Sequence, residues 1–311
     1  MAAPDEPSSQ NNRKMTFLMK LGDGYTFRSL VEVLCYINSE GIFVLGPQGC
    51  VYANRDDNKE MMVKVTISKR LMLSYFYETK EAAVPVYVSM GQLKDALKSV
   101  VRHDNLYVYQ CEGDGNLYIG RGGKDVQYIT TLAGGTIQTI EEPEYLTSVD
   151  SPSYVISTEE LSQKFATTSR GPSDTTQATI TDDGQRLNVD AMRARGSGSH
   201  VEICKTQTDA PSLGKPQVFK LGQPAIRLLS KISTLHKGPA QFYTQEGLPL
   251  KITCNVGTYG SLVVYINNVT TEFEERKREE EALEPVPFPE KKRPSHSSHS
   301  KSSKPPEPGH H

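Results

Sequence analysis

The sequence has no tryptophan, only five cysteines, and no apolar run that approaches the length of a membrane span. Its first residues, Met1 to Asn12, are polar and lack the apolar core of a signal peptide. The cysteines are odd in number, widely spaced and set in apolar runs, which favours buried free thiols over a disulfide framework or a zinc site. We therefore expect a soluble intracellular protein.

Motifs of catalysis and metal binding are also missing. The sequence contains no HExxH motif, no nucleophile elbow and no regularly spaced set of His and Cys ligands. The glycine-rich segment 120–124 lacks the spacing of a phosphate-binding loop and the Ser or Thr that follows its lysine. We predict no enzymatic activity, no cofactor and no metal. An enzyme stays the alternative that turnover of a small molecule would support.

No strong excess of either charge is present, because 35 Lys and Arg residues nearly balance 37 Asp and Glu residues. The net charge of -2 would weakly repel a polyanion as a whole. If the protein binds one, it must do so through a local basic patch.

One stretch, Met90 to His103, carries such a patch. Its apolar residues recur with helical spacing, and its basic residues lie four apart on another face. The pattern returns about 130 residues downstream with the same Gly-Gln start, which indicates a duplicated domain. A solvated helix face is the alternative reading of each basic stripe. The stripes contain Lys94, Lys98 and Arg102 in the first copy, and Arg227 and Lys231 in the second.

Two further helices are predicted, one near the start of each half. Tyr25 to Ile37 has an apolar stripe, and Thr26 is placed to cap it. A helix that begins near Thr158, the expected cap, occupies the corresponding place in the second half. Hairpins with glycine-containing turns follow the helices, so each half reads as two rounds of helix and antiparallel strands.

These patterns predict an α+β chain with two similar domains. The predicted divisions are a disordered lead-in (1–14), a first domain (15–133), an acidic, Pro-punctuated connector (134–153), a second domain (154–268) and a disordered tail rich in charge, Pro and Ser (269–311).

The organisation resembles the DNA sliding clamps of the proliferating cell nuclear antigen family. The most specific likenesses are Gly247-Leu248-Pro249-Leu250-Lys251-Ile252 and Gly260 to Ile266, which are similar to the family's last hairpin and closing strand. The loop Asn54 to Asn58 is similar to its loop of Asp and Ser residues. The resemblance implies the DNA clamp fold, in which two helices of each domain pack on antiparallel sheets. It also implies a homotrimeric ring that encircles duplex DNA and tethers DNA polymerase and other replication and repair proteins.

Basic side chains on the helices would then contact phosphates without reading sequence. The residues expected to bind DNA are Arg28, Lys94, Lys98, Arg102, Lys164, Arg227, Lys231 and Lys237. Family partners insert a short hydrophobic motif under the connector between the domains. The residues expected to receive it are Met62, Tyr145, Leu146, Val149, Pro249 and Tyr265, although Met62 and Tyr265 would also suit an ordinary core.

Two assemblies other than a homotrimer stay open. The chain could be a subunit of a checkpoint-type heteromeric clamp, or a viral processivity factor that acts as a monomer or dimer. The expected location is the nucleus or a site of viral DNA replication, and Lys291-Lys292-Arg293 suits either a nuclear localisation signal or a solvated tail.

Overall fold

The computed structural model describes residues 14–122, 124–132, 152–168, 175–183, 186–193, 198–204 and 216–268. The predicted tail (269–311), most of the connector and almost all of the lead-in lie outside these residues. The described residues belong to one compact unit.

In the described residues, four α-helices alternate with runs of antiparallel strands. The helices are α1 (Gly24–Leu34), α2 (Met90–Leu97), α3 (Thr158–Thr168) and α4 (Gln223–Lys231). The strands of the first half are β1 (Met15–Leu21), β2 (Glu40–Gly46), β3 (Gly49–Arg55), β4 (Met61–Ser68), β5 (Ser74–Tyr77), β6 (Val84–Ser89), β7 (Leu106–Cys111), β8 (Asn116–Arg121) and β9 (Lys124–Thr130). Those of the second half are β10 (Tyr154–Ser157), β11 (Thr175–Asp182), β12 (Arg186–Arg193), β13 (Gly198–Cys204), β14 (Gln217–Leu221), β15 (Pro239–Tyr243), β16 (Leu250–Val256) and β17 (Gly260–Ile266).

The strands form three sheets. A five-stranded sheet has the order β5-β1-β7-β8-β9, and a four-stranded sheet has the order β13-β12-β11-β14. The third sheet has eight strands in the order β10-β15-β16-β17-β4-β3-β2-β6. Because β17 pairs with β4, this sheet joins strands of both halves without a break.

The predicted hairpins are confirmed at their glycine turns. Between β2 and β3, Gly46 pairs with Gly49. Gly49 has a φ of 134°, and a Cβ atom there would lie 2.1 Å from the carbonyl oxygen of Ile67. Only glycine fits such a position without displacing the neighbouring strand.

The helices pack their apolar faces on the sheets, and the buried side chains form one continuous core. In α2, Leu93, Ala96 and Leu97 are buried as predicted. Leu161 and Phe165 of α3 are likewise buried, although its apolar stripe is thin. In the part of the chain that the structure describes, there is no helix with the length and apolarity of a membrane span.

Two predicted helix caps are wrong. The cap of α1 is Asp23, whose carboxylate accepts hydrogen bonds from the backbone N–H of Thr26 at 3.1 Å and from its hydroxyl at 2.6 Å. At α3 the hydroxyl of Ser157 accepts from the N–H of Glu160, whereas the Thr158 hydroxyl donates to the carbonyl of His236. Both threonines lie inside the first turn, where a side chain cannot act as the preceding cap.

The predicted length of α2 is also wrong, since the helix ends at Leu97 instead of continuing to His103. Its last carbonyls are used by distant side chains: Arg28 Nη1 donates to the carbonyl oxygens of Lys98 and Val100, both at 3.0 Å. The N–H of Val101 donates to the Asp104 carboxylate instead of continuing the helix. Val101, expected on the buried stripe, is therefore 55% exposed.

The described cysteines are free thiols, as predicted. Cys50 and Cys254 are buried, whereas Cys35 and Cys111 are only half-buried. The side chain of Cys204 lies outside the described residues.

Candidate functional site

The four helices form a continuous row in the order α2, α1, α4, α3. In this helix row, α1 packs against both α2 and α4, and α4 packs against α3. Each helix buries its apolar face, so its polar face is directed away from the core. The structure thus places the polar faces of helices from both halves side by side.

Lys94 and Lys98 of α2 and Lys231 at the end of α4 are exposed on the helix row. The local sequence explains the exposure of Lys94 and Lys98, because they alternate with the buried Leu93, Ala96 and Leu97 at helical spacing. These three lysines are placed as the sequence predicted, although Lys98 caps the end of α2 instead of lying inside the helix.

Two predicted arginines lie against tyrosine rings, one ring in α1 and the other just after its end. The guanidinium carbon of Arg102 is 5.5 Å from the centre of the Tyr25 ring. That of Arg227, on α4, is 5.7 Å from the centre of the Tyr36 ring. Cation–π contacts at exposed sites contribute about 0.5–1 kcal/mol, enough to bias where a flexible side chain lies. Tyrosines in α1 and just after it therefore support one cation from the turn that follows α2 and one from α4.

Arg28 is mainly committed to internal contacts. Besides the carbonyls of Lys98 and Val100, its guanidinium bonds the Glu32 carboxylate at 2.9 Å. It links the middle of α1 to the end of α2. The sequence predicted Arg28 to be one more exposed cation, because no local pattern predicts a hydrogen bond to the Lys98 carbonyl, 70 residues away.

The two predicted cations at the α3 end of the row are paired with acids. Lys164 Nζ lies 2.9 Å from Glu160 Oε1, and Lys237 Nζ lies 2.9 Å from Glu159 Oε1. The spacing of Glu160 and Lys164, four residues apart on one helix, was a signal that could have revealed the first pair. Glu159 and Lys237 are distant in sequence, so only the fold brings them together.

The second site is a cleft with an apolar floor, open to solvent, at the seam between the halves. It brings together three of the predicted partner-binding residues, Met62, Pro249 and Tyr265. Met62 of β4 lies directly opposite Tyr265 of β17 in the sheet. The complete lining, called the cleft below, is Arg55, Lys59, Met61, Met62, Pro249, Tyr265 and Asn267.

Met62 and Tyr265 are buried, with 5% and 4% of their surfaces exposed, but they lie outside the main core cluster. The loop from Arg55 to Glu60 shapes one side of the cleft. Its buried Asp56 accepts a hydrogen bond from the N–H of Met61 at 2.7 Å. Burial raises the pKa of this carboxyl, while the backbone hydrogen bonds oppose that shift.

Asn267 closes the other side of the cleft by donating its side-chain amide to the carbonyl of Lys59 at 2.9 Å. The exposed Arg55 and Lys59 give the apolar cleft a basic edge, which sequence reasoning missed. The other residues predicted for this site, Tyr145, Leu146 and Val149, lie outside the described residues.

Within the described residues, no three His, Cys, Asp or Glu side chains lie close enough together to hold a metal ion. The candidate sites are therefore a row of helices with basic side chains and an apolar cleft with a basic edge. Both are surfaces suited to binding, one for a polyanion and one for an apolar peptide segment.

Four helices in a row, backed by antiparallel sheets of which one crosses from one half to the other, define the fold of the sliding clamps. Comparison with solved structures supports this class and the predicted α+β DNA clamp fold. One similar structure is the PCNA2-PCNA3 complex from Sulfolobus tokodaii, with a TM-score of 0.63, 17% identity, and coverage of 81% of this chain and 99% of that chain.

The second is the Proliferating Cellular Nuclear Antigen from Entamoeba histolytica, with a TM-score of 0.66, 13% identity, and coverage of 82% of this chain and 99% of that chain. Comparison of the sequence with protein-family models and with curated proteins gives no match. The chain thus has the fold of PCNA-like clamps, and the likeness lies in structure at low sequence identity.

Proposed function

We propose that the protein is a DNA polymerase processivity factor that encircles duplex DNA as a ring and tethers replication and repair proteins to it. The observation that carries the proposal is the alignment of exposed Lys94, Lys98 and Lys231 on one helix row of a clamp fold. Lysines that meet phosphates without reading bases give a sequence-independent, salt-sensitive contact. A ring needs only weak contacts of this kind, because topology keeps it on the duplex while it slides.

The end strands of two sheets support the proposed ring. Strand β9 is the end strand of the five-stranded sheet, and β13 is the end strand of the four-stranded sheet. An end strand presents backbone groups that can pair with a strand of another chain. Pairing of β9 with β13 of the next copy would join copies head to tail, and three copies would close the ring as a homotrimer.

A heteromeric ring is the second candidate. It is favoured by the similarity to the Sulfolobus structure, which is a complex of PCNA2 with PCNA3. In that case β9 or β13 would pair with a different clamp chain, and the protein alone would have the mass of a monomer or dimer.

The cleft would receive the short hydrophobic motif of a DNA polymerase or another partner. Its apolar floor of Met62, Pro249 and Tyr265 suits apolar side chains, and its basic edge suits acidic residues beside them. Tyr145, Leu146 and Val149 of the connector would complete the site.

The wider assignment follows the clamp organisation. Residues 15–133 and 154–268 would be the two clamp domains and 134–153 the connector, with no cofactor needed. The protein would act in the nucleus or at a site of viral DNA replication.

The test combines the native mass with the length of polymerase products on a primed template. We expect a trimeric mass for the wild type, and shorter products for Lys98→Glu plus Lys231→Glu with the mass unchanged. The matched control, Lys69→Glu plus Lys220→Glu, makes the same charge change at exposed positions outside the helix row. Long products from the first variant would show that the helix-row lysines are not needed for processive synthesis. A monomeric wild type would favour the heteromeric ring.

A further inference from the structure

The two ends of the helix row differ in how their cations are compensated. At the α2 end, no ion pair links Lys94, Lys98 or Arg102 to an acidic side chain of the described residues. At the α3 end, both Lys164 and Lys237 lie within 2.9 Å of a glutamate. Among the described residues, the cations at the α2 end are therefore available to an anion, whereas those at the α3 end are held by carboxylates.

Glu159 and Glu160 occupy the first turn of α3. Negative side chains are favourable there, because they interact with the unpaired N–H groups and with the helix dipole. The Ser157 hydroxyl already accepts from the N–H of Glu160, so the helix start has a cap of its own. Helix stability therefore does not by itself require two carboxylates in contact with two lysines.

These ion pairs are exposed, with 57% of the Glu159 side chain and 53% of the Glu160 side chain accessible to solvent. Exposed pairs contribute little to stability, from 0 to about 1 kcal/mol. Their effect on a polyanion is larger. A lysine must leave its carboxylate to meet a phosphate, and the carboxylate left behind repels that phosphate.

We propose that Glu159 and Glu160 weaken the DNA contact of the α3 end, so that the grip on the duplex comes mainly from α2 and α4. This inference rests on the proposed function, since it assigns unequal roles within the proposed DNA-binding surface. The result is a ring with alternating gripping and neutral sectors. Such a ring holds DNA less tightly than one with all its cations available, which favours sliding over static binding.

The experiment measures binding of the full chain to a fluorescein-labelled linear 30-base-pair duplex by anisotropy, across a series of potassium chloride concentrations. Linear DNA allows a ring to thread from the ends. The main variant is Glu159→Gln plus Glu160→Gln, which keeps side-chain size and removes the carboxylate charges that face Lys164 and Lys237. Each cation newly paired with phosphate steepens the plot of log affinity against log salt by about 0.9. We expect a slope steeper by about 1 or more and affinity at low salt about fivefold higher.

Two further variants separate this effect from net charge and from folding. Glu78→Gln plus Glu112→Gln makes the same charge change on the five-stranded sheet and releases Lys14 from its pair with Glu78, and we expect wild-type binding. Adding Lys164→Gln and Lys237→Gln to the main variant should return the affinity to the wild-type value, because each pair is then replaced by two neutral groups. A merely structural role of the glutamates would lower the melting temperature without changing the salt slope.

Each other outcome has a defined meaning. An unchanged salt slope in the main variant overturns the inference and leaves the proposed function intact. An equal gain in the Glu78 and Glu112 control also overturns it, since net charge would then explain the effect. If the wild type fails to bind duplex DNA at every salt concentration in the series, the proposed function fails and the inference fails with it.

Discussion

The basic side chains predicted to bind DNA occupy three different environments. Lys94, Lys98 and Lys231 are exposed, Arg102 and Arg227 lie on tyrosine rings, and the others are held by carboxylates or carbonyls. The difference between lysine and arginine matters here, because the planar guanidinium stacks on rings and bonds several carbonyls at once. Residue type and spacing therefore predict a basic surface, but the surroundings decide which cations are available.

At the same scale, the buried thiols predict how stability depends on pH. Burial raises the pKa of Cys50 and of Cys254 to about 12, against 9.0 without burial. The folded state therefore keeps these protons where the unfolded state loses them, so the contribution to stability is complete below pH 9 and declines as the pH rises above 9. We expect a loss of about 1.4 kcal/mol per thiol at pH 10.

Urea unfolding from pH 7.5 to pH 10 measures this loss. The matched variant is Cys50→Ala plus Cys254→Ala, whose stability should depend less steeply on pH even though the truncations lower it at every pH. Equal pH dependence in the two proteins would contradict the assignment.

At the scale of elements, the end of one helix is fixed by a side chain of another. Arg28 of α1 bonds the carbonyls that follow α2, and Arg121 of β8 bonds the carbonyl of Ser99 in the same turn. These bonds give partners to the carbonyls of the turn that directly follows α2. The turn that positions Lys98 and Arg102 is thus held by two arginines from other elements.

The variant Arg28→Gln should lower the free energy of unfolding by about 1–3 kcal/mol, because carbonyls that follow α2 lose a charged donor. Its DNA affinity should change little, since the guanidinium is already committed to internal partners.

The variant Lys94→Gln should show the reverse, with unfolding free energy within about 0.5 kcal/mol of wild type and weaker DNA binding. Chemical unfolding and the duplex-binding assay measure both. If the Arg28→Gln protein is stable but binds DNA weakly, Arg28 contacts DNA directly, contrary to this prediction.

At the scale of the whole molecule, the eight-stranded sheet joins the halves, and the two smaller sheets leave end strands for assembly. Strand β9 carries two exposed apolar side chains on its outer face, Val126 at 48% and Tyr128 at 65% exposure, while Ile129 points into the core. Exposed apolar side chains on an unpaired strand are typical of a protein interface. This combination supports β9 as one side of the contact between subunits.

The variant Val126→Asp plus Tyr128→Asp should therefore reduce the native mass from trimer to monomer while the fold is retained. Phe76→Asp is the control, since Phe76 is 39% exposed on β5, the opposite end strand of the same sheet. Native mass and circular dichroism measure the two effects. A trimer that survives the double substitution would exclude β9 from the interface.

The sequence determined the local elements and the fold class. Helical spacing placed apolar stripes such as Leu93, Ala96 and Leu97, and glycine turns such as Gly46 to Gly49 marked the hairpins, because both depend on residues close together in the chain. The resemblance of the last hairpin and closing strand was specific enough to predict that Met62, Pro249 and Tyr265 would meet.

Only the tertiary structure decided where α2 ends, that Lys237 is paired and what edges the cleft. Those outcomes depend on Arg28 reaching the carbonyls after α2, on Glu159 reaching Lys237, and on Asn267 reaching Lys59. Each contact joins residues that are far apart in sequence, so the periodicity of residues along the chain cannot predict it. A pattern shows which face of an element is polar, whereas the fold decides what that face meets.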